Sequence, residues 1–393
     1  MSDHSFIPYG KQSLDEEDIQ AVVNVLRSDY LTTGPAINQF EEAIAAYVDS
    51  KYAVAFSSGT AALHGACFAA GITEGDEVIT TPMTFVASSN CVLYQGGTPI
   101  FADIDPVTYN INPLEIEKKI TNKTKAIIPV DFTGQPCELE EIIEIARRHK
   151  LIVIEDAAHA LGATYRGQKI GSISDMTMFS FHPVKHITTG EGGVITTNNK
   201  VYYEKLLAFR SHGITRDRSQ MMDDHGPWYY EMQFLGYNYR MTDIQAALGI
   251  SQLRKSDQFL ERRKEIVEKY NWHFKDIKEV VIPKQSAFVE SSWHIYVLRF
   301  CSNVLQVSKA KLFNELRNCD IGVNVHYIPV HKQPYYKNLG YNQCNYLEAE
   351  HLYEEAITLP LFPSMTDQEV EYIIQTIKRI ISTNKRTKVG DEE

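Results

Sequence analysis

Apolar residues at Ile19, Val22, Val23 and Leu26 recur at helical spacing behind Ser13-Leu14-Asp15-Glu16, which reads as a capping box. From this helix to about residue 200, short apolar runs alternate with helical patterns. The runs at 53–56, 77–80, 99–103, 125–130, 151–154, 176–181 and 193–197 predict strands, and 60–70, 84–95 and 137–149 predict helices between them. Strands that are apolar along their whole length, alternating with helices, predict an α/β fold with a mostly parallel central sheet flanked by helices on both faces. Residues 201–240 are less regular; ITRDRSQMMDDHGPWYY reads as mobile and is followed by GYNYRM. One long helix is predicted over about 242–270. Beyond it, strand-like 294–300 and 322–328 and helices near 308–318 and 366–382 predict a smaller C-terminal α/β domain. The expected division is a large domain over 1–250, a small domain over 251–383 and a disordered tail over 384–393.

Composition narrows the function. The 393 residues are 44% hydrophobic and 23% charged, which suffices for a sizeable core and excludes a wholly disordered chain. The net charge of −11, from 39 basic and 50 acidic residues, argues against a general nucleic-acid binder. No apolar run reaches the length of a membrane span and no secretory leader is visible, so no membrane partner is expected. The six cysteines are scattered without a CxxC pair, so neither a metal site nor a disulfide framework is expected, and a reduced, cytoplasmic protein is.

Three segments carry candidate chemistry. FSFHPVKHITTGEGGVITT, residues 179–197, places Lys185 in a loop just past an apolar strand. Ligands of parallel sheets bind beyond the carboxyl ends of strands, and a desolvated lysine can form a Schiff base with an aldehyde cofactor. A lone lysine in such a turn is usually a solvated surface residue; its neighbours change the weighing. LIVIEDAAHALG places Asp156 after another buried strand, where a carboxylate can pair with a protonated pyridine nitrogen, although an Asp there also caps helices. His159 follows three residues later and fits either the same cleft or a plain structural role. AVAFSSGTAAL turns from strand to helix at Gly59 and Thr60, where backbone amides suit a phosphate. Ser180 can add a hydroxyl to that cup. Phe85, in TPMTFVASSN, can stack on a planar ring or simply sit in the core.

A lysine, an aspartate and a phosphate cup, each after a strand, are what pyridoxal 5′-phosphate requires. The chain resembles the fold-type I pyridoxal-phosphate enzymes, and more narrowly the DegT/DnrJ/EryC1/StrS sugar aminotransferases. SSGTAAL, EDAAHALG, FSFHPVKHITTGEGG, RSHGI, GYNYRMTDIQAALG and VHYIPVHKQPYY carry the resemblance, in order, from about residue 7 to 382. The resemblance implies that Lys185 is catalytic and holds the cofactor covalently, that Asp156 binds its ring nitrogen, and that Gly59, Thr60 and Ser180 bind its phosphate. It implies that Phe85 stacks on the ring, that His159 lies close by, and that Asn238 reaches the phosphate of a neighbouring subunit, making a homodimer with shared sites. Glu191, Arg240, His326 and His331 match positions near the sugar nucleotide. A lysine rather than a histidine at position 185 places the chain with the transaminating rather than the dehydrating branch.

Within that branch, FHPVKHITTGEGG resembles enzymes that aminate C4 of a UDP-4-keto-6-deoxy-N-acetylhexosamine on the route to pseudaminic acid, with L-glutamate as donor. It also resembles spore-coat polysaccharide aminotransferases. Other readings are a different sugar-nucleotide 3- or 4-aminotransferase, a β-eliminating or desulfurase-type enzyme, and a non-catalytic cofactor-binding module. A desulfurase needs an activated cysteine, and no cysteine here has such a setting. A regulator of that kind would add a basic DNA-reading domain, and none is visible.

Overall fold

In the computed structural model, residues 6–305 and 307–385 are described. A seven-stranded sheet is formed by β1 (Tyr52–Phe56), β2 (Glu77–Thr80), β3 (Thr98–Phe101), β4 (Thr124–Ile128), β5 (Ile152–Asp156), β6 (Met176–Ser180) and β7 (Gly193–Thr197), in the spatial order β1-β7-β6-β5-β4-β2-β3. The pairs from β3 through β6 are parallel, whereas β7 runs antiparallel to both β1 and β6. The reason is local. Residues 181–192 return directly to the adjacent lane without a crossover helix, and only antiparallel neighbours can be joined that way.

The alternation of side chains along each strand divides the core into two layers. Ala53, Ala55, Ile79, Ile127, Val153, Phe179 and Val194 face the helix Pro35–Tyr47 with its buried Phe40 and Ile44. Val54, Phe56, Val78, Ile128, Ile154, Met178 and Ile195 face the almost wholly buried helix Gly59–Ala69. Both layers are closed to water, which is why the strands read as unbroken apolar runs.

A second core lies around the antiparallel strands Val280–Val281, Tyr296–Phe300 and Ala356–Leu359, covered by helices Ser256–Phe274, Lys309–Arg317 and Asp367–Thr383. Ile7 belongs to this core and pairs in parallel with Ile321.

Several local expectations are corrected. The first helix, Glu16–Leu26, is capped by Asp15 with Asp18 completing the box, not by Ser13. The long helix predicted over 242–270 is two, Asp243–Leu253 and Ser256–Phe274. At the break, Gln252 and Lys255 both reach the buried Asp18, at 2.6 and 2.7 Å, and anchor the turn to the N-terminal helix. Residues 322–328 form no strand beyond a single bridge from Asn324 to Thr358; the sheet partner is Ala356–Leu359. The stretch read as mobile is pinned where Ile214–Thr215 pairs with Glu231–Met232, and the Glu231 carboxylate accepts from the Met222 and Asp223 amides. Asn384, the first residue of the expected tail, is buried, and Lys385 bridges Leu305; the rest of that tail lies outside the described residues.

Behind the end of β5, Glu155 and Asp131 are both fully buried, and Glu155 Oε1 and Asp131 Oδ2 have no other hydrogen-bond partner, a need that one proton held between the two carboxyl groups meets. Burial raises both, and repulsion from Glu155 raises Asp131 further, so the pair keeps a proton that the unfolded chain gives up. The native state then binds more protons than the unfolded one above the ordinary carboxylate range. Stability from the pair is present in acid and declines as pH rises, by up to about 1.4 kcal/mol per pH unit for each proton held. Glu155→Gln, which replaces the shared proton with an amide donor, is expected to flatten this decline. Urea unfolding at mildly acidic and mildly alkaline pH checks it, and equal slopes for the two proteins would contradict the shared proton.

Candidate active site

The carboxyl ends of β5 and β6 and the start of the helix Gly59–Ala69 converge on one cleft. Asp156 is the last residue of β5, and its backbone pairs with the segment after β4: its amide donates to the Pro129 carbonyl and its own carbonyl accepts from Asp131. Its side chain is fixed at both oxygens. Ser88 Oγ donates to Oδ2 at 2.6 Å, and the Ala158 amide donates to Oδ1 at 3.2 Å. Thr84 lies 2.7 Å behind Ser88 and supplies the next hydroxyl in the relay. Burial raises the Asp156 carboxyl above its usual range, while Ser88, Ala158 and the charge of Lys185 pull it back. A buried carboxylate with this support suits a cationic partner.

Lys185 sits in the return loop between β6 and β7, its amide bonded to the His182 carbonyl. The residue is half-buried but its amine is enclosed. Burial pushes the amine down to about 8, against the opposing pull of Asp156. A substantial share of free base near neutral pH is what a lysine nucleophile and proton carrier needs.

Around the amine stand side chains from three parts of the chain. His159 is buried, and Tyr327 Oη lies 3.1 Å from its Nε2. His326 bonds Thr358 Oγ1 through Nδ1 at 2.8 Å and is pushed down to about 3 by burial and then by the Lys185 charge. His294 Nε2 is 3.5 Å from Lys185 Nζ, and its ring centroid is 4.3 Å from that of His159. Burial, followed by the Lys185 charge, holds both His159 and His294 well below the ordinary histidine range.

The cup lies at the other end of the cleft. The helix beginning at Gly59 is capped by Ser58, whose side chain accepts from the Ala61 amide. The Gly59 and Thr60 amides open the helix and have no intrahelical acceptor. A Cβ on Gly59 would sit 3.2 Å from Ser180 Cβ and 3.3 Å from its hydroxyl, so the glycine lets strand and helix close together. Gly193 serves the same approach from β7, since a Cβ there would meet Ser58 O at 2.6 Å. Phe85 leaves 57% of its surface exposed, with its ring 6.1 Å from Tyr327, so it is a free aromatic face beside the cleft and not core.

The structure thus brings Lys185, Asp156, His159 and His326 together, with Gly59 and Ser180 in mutual contact. It does not bring His331 to the amine. That residue is buried one layer out, paired with Glu350 at 3.0 Å, and its segment is tied to Pro82 by the Val330 amide. Glu191 is exposed; its backbone carbonyl, not its carboxylate, is engaged, by Thr189 and Gln245. Asn238 is exposed and paired through its backbone to Ser211, and Arg240 is half-buried. Ser88, His294 and Tyr327 complete the site and are not among the residues to which the sequence points. Ser88 stands three residues after Phe85, one helical turn on, which is the spacing that could have found it.

The residues fit pyridoxal 5′-phosphate. A supported carboxylate, an amine held near 8, helix-opening amides beside a hydroxyl, and an open aromatic face match the pyridine nitrogen, the aldehyde, the phosphate and the ring. His159 Nδ1 is also buried without a hydrogen-bond partner, a polar atom awaiting a ligand.

Fold and cleft together define a pyridoxal-phosphate-dependent enzyme, and the family of the chain makes it a sugar aminotransferase. The DegT/DnrJ/EryC1/StrS aminotransferase family matches residues 12–378, and the chain belongs to that family. It is similar to the spore coat polysaccharide biosynthesis protein SpsC of Bacillus subtilis, 41% identical over 96% of this chain and 97% of that protein. It is 37% identical to the UDP-4-amino-4,6-dideoxy-N-acetyl-beta-L-altrosamine transaminase of Campylobacter jejuni, over 98% of this chain and 100% of that one. A putative sugar aminotransferase of Streptococcus pneumoniae, Spr1654, solved in its PLP form, superposes with a TM-score of 0.90 at 35% identity, covering 96% of this chain and 99% of that one.

Proposed function

We propose that the protein transfers the amino group of L-glutamate to C4 of a nucleotide-linked keto sugar, with a UDP-4-keto-6-deoxy-N-acetylhexosamine as the favoured acceptor. The observation that carries the reading is the enclosed Lys185 amine in one cleft with the hydroxyl-supported Asp156. The full-length similarity to the Campylobacter transaminase supports the acceptor. The similarity to SpsC supports a second reading, a different nucleotide sugar destined for a polysaccharide.

Pyridoxal phosphate, when bound, supplies the electron sink that makes the carbon next to the amino group acidic. Asp156 keeps the ring nitrogen protonated, and Ser88 keeps Asp156 ionised and aimed. Lys185, as free base, takes the proton from the donor carbon and returns it on the other side of the transfer; with the keto sugar it works in the reverse order. Gly59, Thr60 and Ser180 hold the phosphate, and Phe85 and His159 confine the ring. His326, Glu191 and Arg240 contribute to the sugar-nucleotide side, with His331 acting through its neighbours. A second copy of the chain supplies Asn238 to the phosphate. In support, Asn238 is exposed and lies beside the loop bearing Met222, Trp228, Met232 and Leu235, all exposed apolar side chains.

A panel of 4-keto and 3-keto sugar nucleotides on UDP, GDP and dTDP, assayed with glutamate, tests the acceptor. The UDP-4-keto-N-acetylhexosamine is expected to give the highest kcat/KM. A higher value with another nucleotide or a 3-keto sugar would replace the acceptor, and no 2-oxoglutarate with any sugar would remove the reaction.

A further inference from the structure

His294 lies outside the roles assigned above, yet its ring touches the reacting amine. It stands two residues before the strand Tyr296–Phe300, the middle strand of the small sheet. Its backbone is fixed at both its amide and its carbonyl. Its amide donates to the Thr133 carbonyl at 2.8 Å, in the loop after β4. Its carbonyl accepts from Arg263 Nη1 at 3.0 Å. Arg263 is itself fully buried on the helix Ser256–Phe274, and the same nitrogen reaches the Leu361 carbonyl. A turn clamped in this way leaves the imidazole little freedom.

The ring lies between two others. His159 is 4.3 Å away by centroid and His186 5.4 Å. His186 faces the opposite way, with Nε2 on the Ser292 carbonyl at 3.0 Å. These histidines are not a metal centre, because no group of three or more His, Cys, Asp or Glu among the described residues is arranged to hold an ion. His294 Nδ1 is buried without a partner, so the hydrogen bond open to the ring is the one between Nε2 and Lys185 Nζ, in which Nε2 accepts when the ring proton is on Nδ1. At 3.5 Å this bond is long, as bonds to reacting groups are before ligands close the site.

Resting on the function proposed above, we propose that His294 is a positioning residue for Lys185: its neutral Nε2 accepts a hydrogen from the amine and fixes the direction of the nitrogen lone pair. An amine that donates one N–H to a fixed acceptor cannot rotate that lone pair freely. The placement also ties the seating of the small sheet to the geometry of the lysine, because the acceptor hangs from the start of its central strand.

The groups facing the amine set the sign of the effect. Asp156 favours the ammonium form, while His159, His186, His326 and Tyr327 are neutral, and Arg263 lies beyond His294. An acceptor at Nε2 stabilises the ammonium form too. Removing it lowers the pKa of Lys185 relative to the parent protein.

The test uses the full chain, freed of bound carbonyl compounds, with formaldehyde and cyanoborohydride as the amine probe. The rate of methylation at Lys185 is followed by peptide mass mapping from pH 6 to 10. His294→Phe, which removes the acceptor, is expected to move the midpoint down by about half a unit to one unit, or about three- to tenfold more free amine below the midpoint. His294→Gln, which keeps an acceptor, is expected to stay near the parent midpoint. Thermal unfolding shows whether each variant folds; should the Phe variant not fold, His294→Leu takes its place. Coincident midpoints for the parent and the apolar variant would overturn the inference, as would a Gln variant that shifts as far as the apolar one. Borohydride reduction of the cofactor-bound parent separates this outcome from failure of the function: a label on another lysine removes the proposed function, whereas a label on Lys185 with unshifted midpoints removes only the role of His294.

Discussion

Lys185→Ala is expected to lose about 10²–10⁴-fold or more in turnover, the range a single general acid–base supplies, while still binding pyridoxal phosphate through the cup and Asp156. The loss follows from position. Among the groups around the cleft, this amine is the one that burial brings to about 8, with Asp156 as its charged neighbour. Binding is expected to survive because Gly59, Thr60, Ser180 and Asp156 belong to strand ends and a helix start that do not depend on the lysine side chain. Borohydride reduction and peptide mapping check the covalent part, since the parent is labelled at Lys185 and the variant is not. Mixing with Asn238→Ala chains checks the shared site. If each site draws on both chains, heterodimers of the two inactive variants regain up to about half of parental activity, one site in two being intact. No recovery despite proven exchange would confine the site to one chain.

Asp156→Asn carries the second large effect. The asparagine keeps the shape and the Ser88 contact but removes the negative charge facing the ring nitrogen. An opposite charge at such a distance shifts a pKa by about one to three units, which corresponds to about 10- to 1,000-fold in each half-reaction. Single-turnover rates with glutamate are the measurement, and near-parental rates would take Asp156 out of the role. Stability is expected to move the other way. The Asp156 carboxyl is raised in the folded state by burial, so its contribution is fullest in acid and falls as pH rises through that raised value. The neutral asparagine escapes this decline, and the ligand-free variant is expected to gain stability relative to the parent as pH rises from the ordinary carboxylate range through that raised value, with no further gain above it. Unfolding the two proteins across pH checks the sign.

The large sheet and its chemical edge were legible because they are written locally. Each strand is an apolar run closed by polar residues, and Lys185, Asp156 and Gly59 each fall just where a run stops. The supports of these residues were not legible, because they come from remote segments. Ser88 meets Asp156 from 68 positions away, and His294 meets Lys185 from 109. No periodicity links such pairs; only the packing of the sheet does. The same holds for the break between Leu253 and Ser256. Helical spacing continues through it, and what turns the chain is a polar anchor on Asp18 at the far end of the sequence. Residues 322–328 misled for a related reason. Their β-branched and aromatic content suits a strand, but the lane beside Tyr296–Phe300 is taken by Ala356–Leu359.

The pairing of Ile7 with Ile321 bears on how the molecule is made. The two residues meet in the same small core although roughly 310 positions separate them. On a ribosome adding about 5–20 residues per second, the N-terminal segment emerges first and then waits about 15–60 s for its partner. The large sheet, whose strands all lie between the two, can form in that interval. The N-terminal segment can therefore take its place in the small core only after the strands of that sheet have been made, as a clasp drawn across a finished unit.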